Sequence, residues 1–484
     1  MKYPIAHNFI AGKMVAGQGE TLEVFSPTTG EVLSAVHLSE TSEVSQAVAS
    51  AQAAFPEWSG MPIKERVQIF YRYKTLLEQH LEQLAQLIVE ENGKTLDEAR
   101  AEVLKAVEVT EFACALPQLF PGEIEEVSKG VECRSERQPL GVVACITPFN
   151  FPNMVPNWTI PNVLAIGNTM LLKPSELVPL SANRIAELLR QAGLPDGVFN
   201  VIHGGQKAVE AICDHPGIEA VSFVGSTRVA KLVYQRATAK FKRALALGGA
   251  KNHLVVLPDA HTGMTASNVA ASMTGCAGQR CMAASALVAV GPVDHIIEQL
   301  CREAGKIVPG KNLGAIISKQ AKARIENYIA EAEKQGANVI LDGRNISVPG
   351  HENGYWLGPT IIDQVTPDMP IAQEEVFGPV LAILRAPTLD KAIEIENSSP
   401  YGNAAAIFTQ SGGLAKYFSE RASAGMIGVN IGVPVPREPF SFGGWNQSKF
   451  GSGDITGKSS IEFWTKLKKT TIKWNPEARS NWMS

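Results

Sequence analysis

Between Gly141 and Thr227 the chain repeats one pattern four times: a short apolar run, a turn, then a helical stretch. Gly141-Val142-Val143-Ala144-Cys145-Ile146 has the unbroken apolar character of a strand buried on both faces, and a helix follows through about Ile166. Asn168–Lys173, Val198–Ile202 and Ala220–Val224 repeat the strand signal. Leu180–Ala192, Gln206–Asp214 and the stretch opened by Gly225-Ser226-Thr227 supply the helices. Repeated βαβ units have few solutions, because the crossover is right-handed and the helices must cover both faces of a parallel sheet. An α/β fold is therefore expected. Ligands of such sheets bind beyond the carboxyl ends of the strands. Thr147, Asn150, Lys173, Glu176, Gly225 and Ser226 fall there.

The remainder divides around this unit. Residues 8–40 read as short strands with turns. From Ser42 to about Ala115, apolar residues such as Val67, Phe70, Leu77 and Leu81 recur at helical spacing. Residues 122–141 are polar and β-prone, as in a strand pair outside the main core. A second α/β unit begins near His253–Asp259. Ser318–Gln335 reads as a helix, and Leu381–Ala386, Ala404–Thr409 and Met426–Asn430 as strands. The tail, Ile461 to Trp474, alternates and reads as β.

With 484 residues the chain can bury two or three cores. A net charge of −4, without a basic run, gives no sign of a nucleic-acid surface. Neither a signal peptide nor a membrane span is expected from the apolar stretches. Seven cysteines with no Cys-x-x-Cys pair point to free thiols in a reducing, cytoplasmic setting and to no metal site.

Two stretches suggest chemistry. Lys173-Pro174-Ser175-Glu176 places a cation and a carboxylate at a sheet's ligand edge. There they could bond ribose hydroxyls, and Glu176 would repel a 2′-phosphate, favouring NAD over NADP. An ordinary solvated pair is the alternative. Gly225-Ser226 opens a helix whose amides could meet a pyrophosphate, although no Gly-x-Gly-x-x-Gly is present. In Gly275-Cys276-Ala277-Gly278-Gln279-Arg280-Cys281, small residues leave room for a substrate carbon at Cys281, and Arg280 could favour the thiolate. Alone, such a segment more often holds its cysteine as a buried small hydrophobe.

Taken together, Thr147–Pro152, Lys173–Glu176, Phe223–Thr227, Gly278–Cys281 and Glu374–Val380 resemble, in order, the motifs of the aldehyde dehydrogenase superfamily. The resemblance extends from about residue 8 to 474. It implies a Rossmann-type NAD-binding domain (1–121 and 142–250), an α/β catalytic domain (251–440) and a β-hairpin oligomerisation element (122–141 and 459–484), with a homotetramer or dimer of dimers expected. It implies Cys281 as nucleophile and Asn150 as oxyanion donor. Thr147, Phe149, Lys173, Glu176, Leu177, Gly225, Ser226 and Gly248 would follow the cofactor, and Glu375, with Phe377 beside it, would hold the nicotinamide ribose.

The departure from the family is informative. The superfamily's Glu-Leu-Gly-Gly-Lys supplies the base that activates water; here the stretch is Leu245-Ala246-Leu247-Gly248-Gly249-Ala250-Lys251-Asn252-His253, with Ala246 at the Glu position. Without a base, a thiol is a far better nucleophile than water toward a thioester. This favours acyl transfer to coenzyme A. The Gly-Ala-Lys-Asn-His segment, Gly278–Met282, Gly428–Pro436 and Phe440–Phe442 resemble the CoA-acylating branch that acts on methylmalonate or malonate semialdehyde. In that branch the implied products are CO2 and propionyl-CoA or acetyl-CoA. Arg280 is the first candidate anchor for the substrate carboxylate. Lys105 stands where the branch usually has a second arginine, and Arg437 is a candidate to compensate or simply an exposed loop residue. A hydrolytic dehydrogenase with its base elsewhere, at Glu375 or Asp454, and a non-catalytic relative are the rival readings.

Overall fold

The computed structural model describes residues 1–474. Its first sheet has eight strands in the spatial order Lys13–Val15, Asn8–Ile10, Phe199–Val201, Thr169–Lys173, Val142–Ile146, Ala220–Val224, Arg243–Leu247 and Lys449–Phe450. The five central strands run parallel and the added edges run antiparallel. Strand order reverses between Val142–Ile146 and Ala220–Val224. The turn after the first leads into Thr147–Asn150, and the turn after the second is Gly225-Ser226, so both border the crevice where such sheets take their ligands. The fifth parallel strand, Arg243–Leu247, lies outside the four strands legible in the sequence. It places Ala246 in register with Phe223 and Phe450.

The second sheet has seven strands: Asn338–Leu341, Thr360–Asp363, Val380–Ala386, Ala284–Val290, Asn252–Val256, Ala404–Phe408 and Met426–Val429. All but the first pair run parallel. Four helices, Thr41–Gly60, Ile63–Gln79, Leu81–Asn92 and Leu96–Cys114, occupy the expected helical stretch. Their Phe70, Tyr73, Leu77, Leu84 and Ile88 are fully buried in one cluster with the first sheet's Met170 and Leu172. Tyr73 keeps its hydroxyl satisfied by donating to Asn157 Oδ1 at 2.9 Å.

The third sheet is antiparallel: Glu123–Ser128, Val131–Pro139 and Thr465–Lys473. Glu123–Ser128 is exposed along its length, and Ile124, Val127 and Leu467 stand in solvent. The β reading of the tail needs correction at its start. Gly457–Phe463 is a helix, because Ile461 and Trp464 are buried at a three-residue spacing and alternation sets in only from Thr465. Residues 475–484 of the expected oligomerisation element lie outside the described residues. All seven cysteines are free thiols. Among the described residues no helix is long and apolar enough to cross a membrane, and no cluster of three or more His, Cys, Asp or Glu could hold a metal ion.

Candidate active site

The Thr262–Thr274 helix delivers the chain to Gly275, and the backbone then turns left-handed three times in succession: Cys276 at φ 55°, Ala277 at φ 53° and Gly278 at φ 67°. A left-handed non-glycine residue costs roughly 1–2 kcal/mol, so the surroundings must hold this turn. Glu98 accepts the Cys276 amide at 2.5 Å. Gln279 clamps the far wall, donating to Ala315 O at 3.2 Å and accepting from Ile317 N at 3.0 Å. Gly278 is required twice over, since a Cβ there would also lie 2.1 Å from Gly378 O.

The turn ends at Cys281, whose carbonyl accepts from two carboxamides: Asn252 Nδ2 at 2.7 Å and Asn403 Nδ2 at 2.9 Å. Asn252 also donates to Ala283 O at 2.9 Å and accepts from Ala404 N at 3.2 Å, which ties the cysteine segment to the neighbouring strands of the second sheet. Sequence reasoning missed Glu98, Asn252, Gln279 and Asn403 as positioning groups. Asn252 and Gln279, inside noticed motifs, offered a signal; Glu98 and Asn403 offered none.

Across from this segment, Asn150 is buried and donates to Gln279 O at 2.9 Å, while Asn92 fixes the preceding Phe149 carbonyl at 2.8 Å. Asn150 and Cys281 are thus joined through the Gln279 backbone. Cys281 lines a small cavity with Arg280, Glu375 and Phe377. Burial pushes its thiol up to about 12, with the charge of Glu375 adding to the rise. Local backbone amides and Arg280 oppose it more weakly. The expectation that Arg280 favours the thiolate is therefore right in direction and outweighed in size. Part of the reason is where its guanidinium goes: Nη2 donates to Ala271 O at 2.9 Å and Ser272 O at 3.1 Å, and the group lies flat on Gly275. Arg280 Nε is buried without a partner.

Glu375 accepts the Ala250 amide at 3.0 Å and lies over Gly249, where a Cβ would sit 2.3 Å from Oε2. Desolvation raises its carboxyl to about 7. Phe377 is held at φ 56° and meets Phe149 edge-on, ring centroids 5.8 Å apart. Asp454, the other carboxylate considered as a base, is paired with Lys449 at 2.9 Å.

On the first sheet, Lys173 is buried and its ammonium meets Glu176 at 3.0 Å. Leu177 follows with its amide on Ser175 Oγ at 3.3 Å. Thr147 is buried with Oγ1 unpartnered. Ser226 stands exposed at the N-cap of the Thr227–Thr238 helix and makes no side-chain capping bond. Gly248 approaches Thr227 and Gln447 so closely that a Cβ would lie 2.8 Å from each. Idle hydroxyls, a helix start and an ion pair at one strand edge suit a ligand with hydroxyls and phosphates. Ala246, expected at the superfamily's base position, is a fully buried methyl packed with Phe223 and Val233, while Leu245 and Leu247 turn to the cluster that Cys281 joins, so this strand presents no base on either face.

The second candidate anchor, Lys105, has partners within the chain. Lys105 meets Glu438 at 2.6 Å and Glu108 at 3.2 Å, so its ammonium is already paired within the chain. Arg437 is exposed in the adjoining loop.

Residues 14–470 match the Aldehyde dehydrogenase family. A malonate-semialdehyde dehydrogenase of Geobacillus kaustophilus is 44% identical over 476 residues, covering 96% of this chain and 98% of that protein. A malonate-semialdehyde dehydrogenase of Pseudomonas aeruginosa is 43% identical over 486 residues, covering 98% and 97%. Among solved structures, the methylmalonate-semialdehyde dehydrogenase of Oceanimonas doudoroffii superposes with a TM-score of 0.96 at 43% identity, covering 98% of this chain and 99% of that one. A Sinorhizobium meliloti protein provisionally assigned the same activity, solved with NAD, gives 0.96 at 41% identity, again covering 98% and 99%. The left-handed turn before Cys281, the Asn150 carboxamide beside it and the Lys173–Glu176 edge thus sit in a chain that belongs to the aldehyde dehydrogenase family.

Proposed function

We propose that the chain oxidises a small carboxylated semialdehyde, malonate or methylmalonate semialdehyde, and passes the acyl group to coenzyme A. The observation that carries this reading is the Arg243–Leu247 strand. Leu245 and Leu247, in the cluster that Cys281 joins, and the buried methyl of Ala246 on the other face offer no base. Malonate- and methylmalonate-semialdehyde dehydrogenases among the relatives support the substrate class.

In this reading Cys281 Sγ, once deprotonated, attacks the aldehyde carbon. Asn150 has a second N–H beyond the one given to Gln279 O, and with the Cys281 amide it meets the oxyanion. NAD, when bound, takes the hydride. Lys173, Glu176 and Leu177 would hold its adenosine ribose, and Thr147, Gly225, Ser226 and Gly248 would follow its phosphates. Glu375, with Phe377 and Phe149 beside it, would hold the nicotinamide ribose. Arg280 Nε, buried and unpartnered, suits the substrate carboxylate. The thioester on Cys281 then loses that carboxylate as CO2. The bonding pair passes into the thioester enolate, which takes a proton. The CoA thiolate displaces Cys281, releasing acetyl-CoA or propionyl-CoA.

We further assign residues 1–121 and 142–250 to cofactor binding and 251–440 to catalysis. Segments 122–141 and 459–474 would pair subunits in a homo-oligomer.

One observation favours a hydrolytic second reading. Glu375 lines the Cys281 cavity and titrates near 7, where a general base works well. Intact-mass measurement separates the two. With semialdehyde and NAD but no CoA, the acyl adduct on Cys281 should persist, be absent from Cys281→Ala, and vanish when CoA is added. Loss of the adduct at the same rate without CoA would overturn the proposal.

A further inference from the structure

The first two turns of the Leu96–Cys114 helix reach both walls of the site. Glu98 accepts the Cys276 amide at 2.5 Å and, with its other oxygen, the Thr95 amide at 3.1 Å. Glu102 stands one turn further along the same face. Its Oε1 accepts two amides at once, Asn153 N at 2.8 Å and Met154 N at 3.0 Å. Those amides begin the Met154–Ala165 helix, immediately after the turn that holds Asn150.

The Glu102 side chain has no exposed surface. Its Oε2 meets the Lys94 ammonium at 2.5 Å, and the Lys94 side chain is itself 3% exposed. Lys94 also lies over the Phe151 ring, 3.7 Å from its centroid and one residue beyond Asn150. Burying such a pair adds little stability, because desolvation offsets most of the attraction. Well-packed apolar side chains would fill the same space, but they could not accept the two amides.

These contacts close a ring. Asn150 Nδ2 donates to Gln279 O, three residues after Cys276, so the two walls are joined a second time at the site itself. One side of the ring is a turn of α-helix, a spacer of about 6 Å that keeps its length. The opposite side is the left-handed Cys276-Ala277-Gly278 turn, which its surroundings must hold.

We propose that Glu102 is a positioning residue: with Glu98 as the fixed point on the cysteine turn, it sets where the Asn150 carboxamide stands against Cys281. This rests on the reading of Cys281 as nucleophile and Asn150 as oxyanion donor. An oxyanion donor is effective because it is fixed before the charge develops, and a misplacement of about 1 Å costs about a hundredfold.

The test is the single-turnover rate of NADH formation from malonate semialdehyde and NAD, a step that precedes acyl release and does not depend on CoA. Glu102→Asp keeps a charge beside Lys94 and withdraws the acceptor by one methylene. Its rate should fall about thirtyfold, with NAD affinity within about twofold of wild type. In the Asn150→Ala background the same change should cost less than about threefold, because the group it positions is gone. Lys94→Gln/Glu102→Gln removes both charges but leaves an oxygen for the two amides, and should stay within about threefold of wild type. Melting curves check folding; if Glu102→Asp does not fold, Lys94→Met/Glu102→Leu is read in the same way. Equal losses with and without Asn150, or an unmoved rate, would overturn the proposal alone. Wild-type protein that forms no NADH, or Asn150→Ala at the wild-type rate, would overturn the reading beneath it and the proposal together.

Discussion

Asn252 donates to the carbonyl of Cys281 at 2.7 Å, and the two residues belong to different motifs, 29 positions apart in the chain. The same carboxamide accepts from Ala404 N, so one side chain locks the Cys281 backbone to the strands at its flank. A loop that spends three residues in left-handed geometry needs such a lock to hold one conformation.

Asn252→Ala removes donors to Cys281 O and Ala283 O and the acceptor for Ala404 N. Each buried group left unpaired costs roughly 1–3 kcal/mol. The melting temperature should fall, and kcat should drop about ten- to a hundredfold with little change in KM for NAD. Steady-state kinetics on folded protein check this; unchanged kcat would show that Asn403 alone suffices to place Cys281.

The charge of Glu375 works against the thiolate, and burial works against both groups. Removing that charge lowers the pKa of the thiol. Glu375→Gln should therefore react with iodoacetamide faster than the wild type above pH 7, where Glu375 is ionised, and at nearly the same rate well below it. Alkylation rates from pH 5 to 10 test this. A variant that reacts more slowly at alkaline pH would reverse the sign.

Glu176 meets Lys173 at the strand edge proposed for the adenosine ribose. A carboxylate there accepts from ribose hydroxyls and repels a 2′-phosphate. Glu176→Gln should raise kcat/KM for NADP relative to NAD by about tenfold, measured with propanal. A ratio that does not move would place the ribose elsewhere.

Much of this was legible before the structure. The four apolar runs from Val142 to Val224 became adjacent parallel strands because doubly buried strands read plainly as unbroken apolar stretches. The motif residues Thr147, Asn150, Lys173 and Gly225 lie at strand ends because the topology leaves no other place for them. Arg243–Leu247 escaped notice because a five-residue run beginning in charge becomes a strand only through its neighbours, Ala220–Val224 and Lys449–Phe450. The groups that hold the cysteine turn were invisible for another reason. Glu98 reaches Cys276 across 178 positions and Asn403 reaches Cys281 across 122, and no local pattern encodes a contact of that span. Lys105 likewise reads as a free cation until Glu438, 333 positions away, is brought against it.

Acyl transfer to coenzyme A, inferred from the lack of a base on the Arg243–Leu247 strand, is tested most directly by following NADH formation from malonate and methylmalonate semialdehyde with and without CoA and identifying the product. The expected result is sustained turnover only with CoA, yielding acetyl-CoA or propionyl-CoA and one CO2 per NADH. Sustained turnover without CoA, yielding the free acid, would contradict it and make Glu375 the base that this strand does not supply.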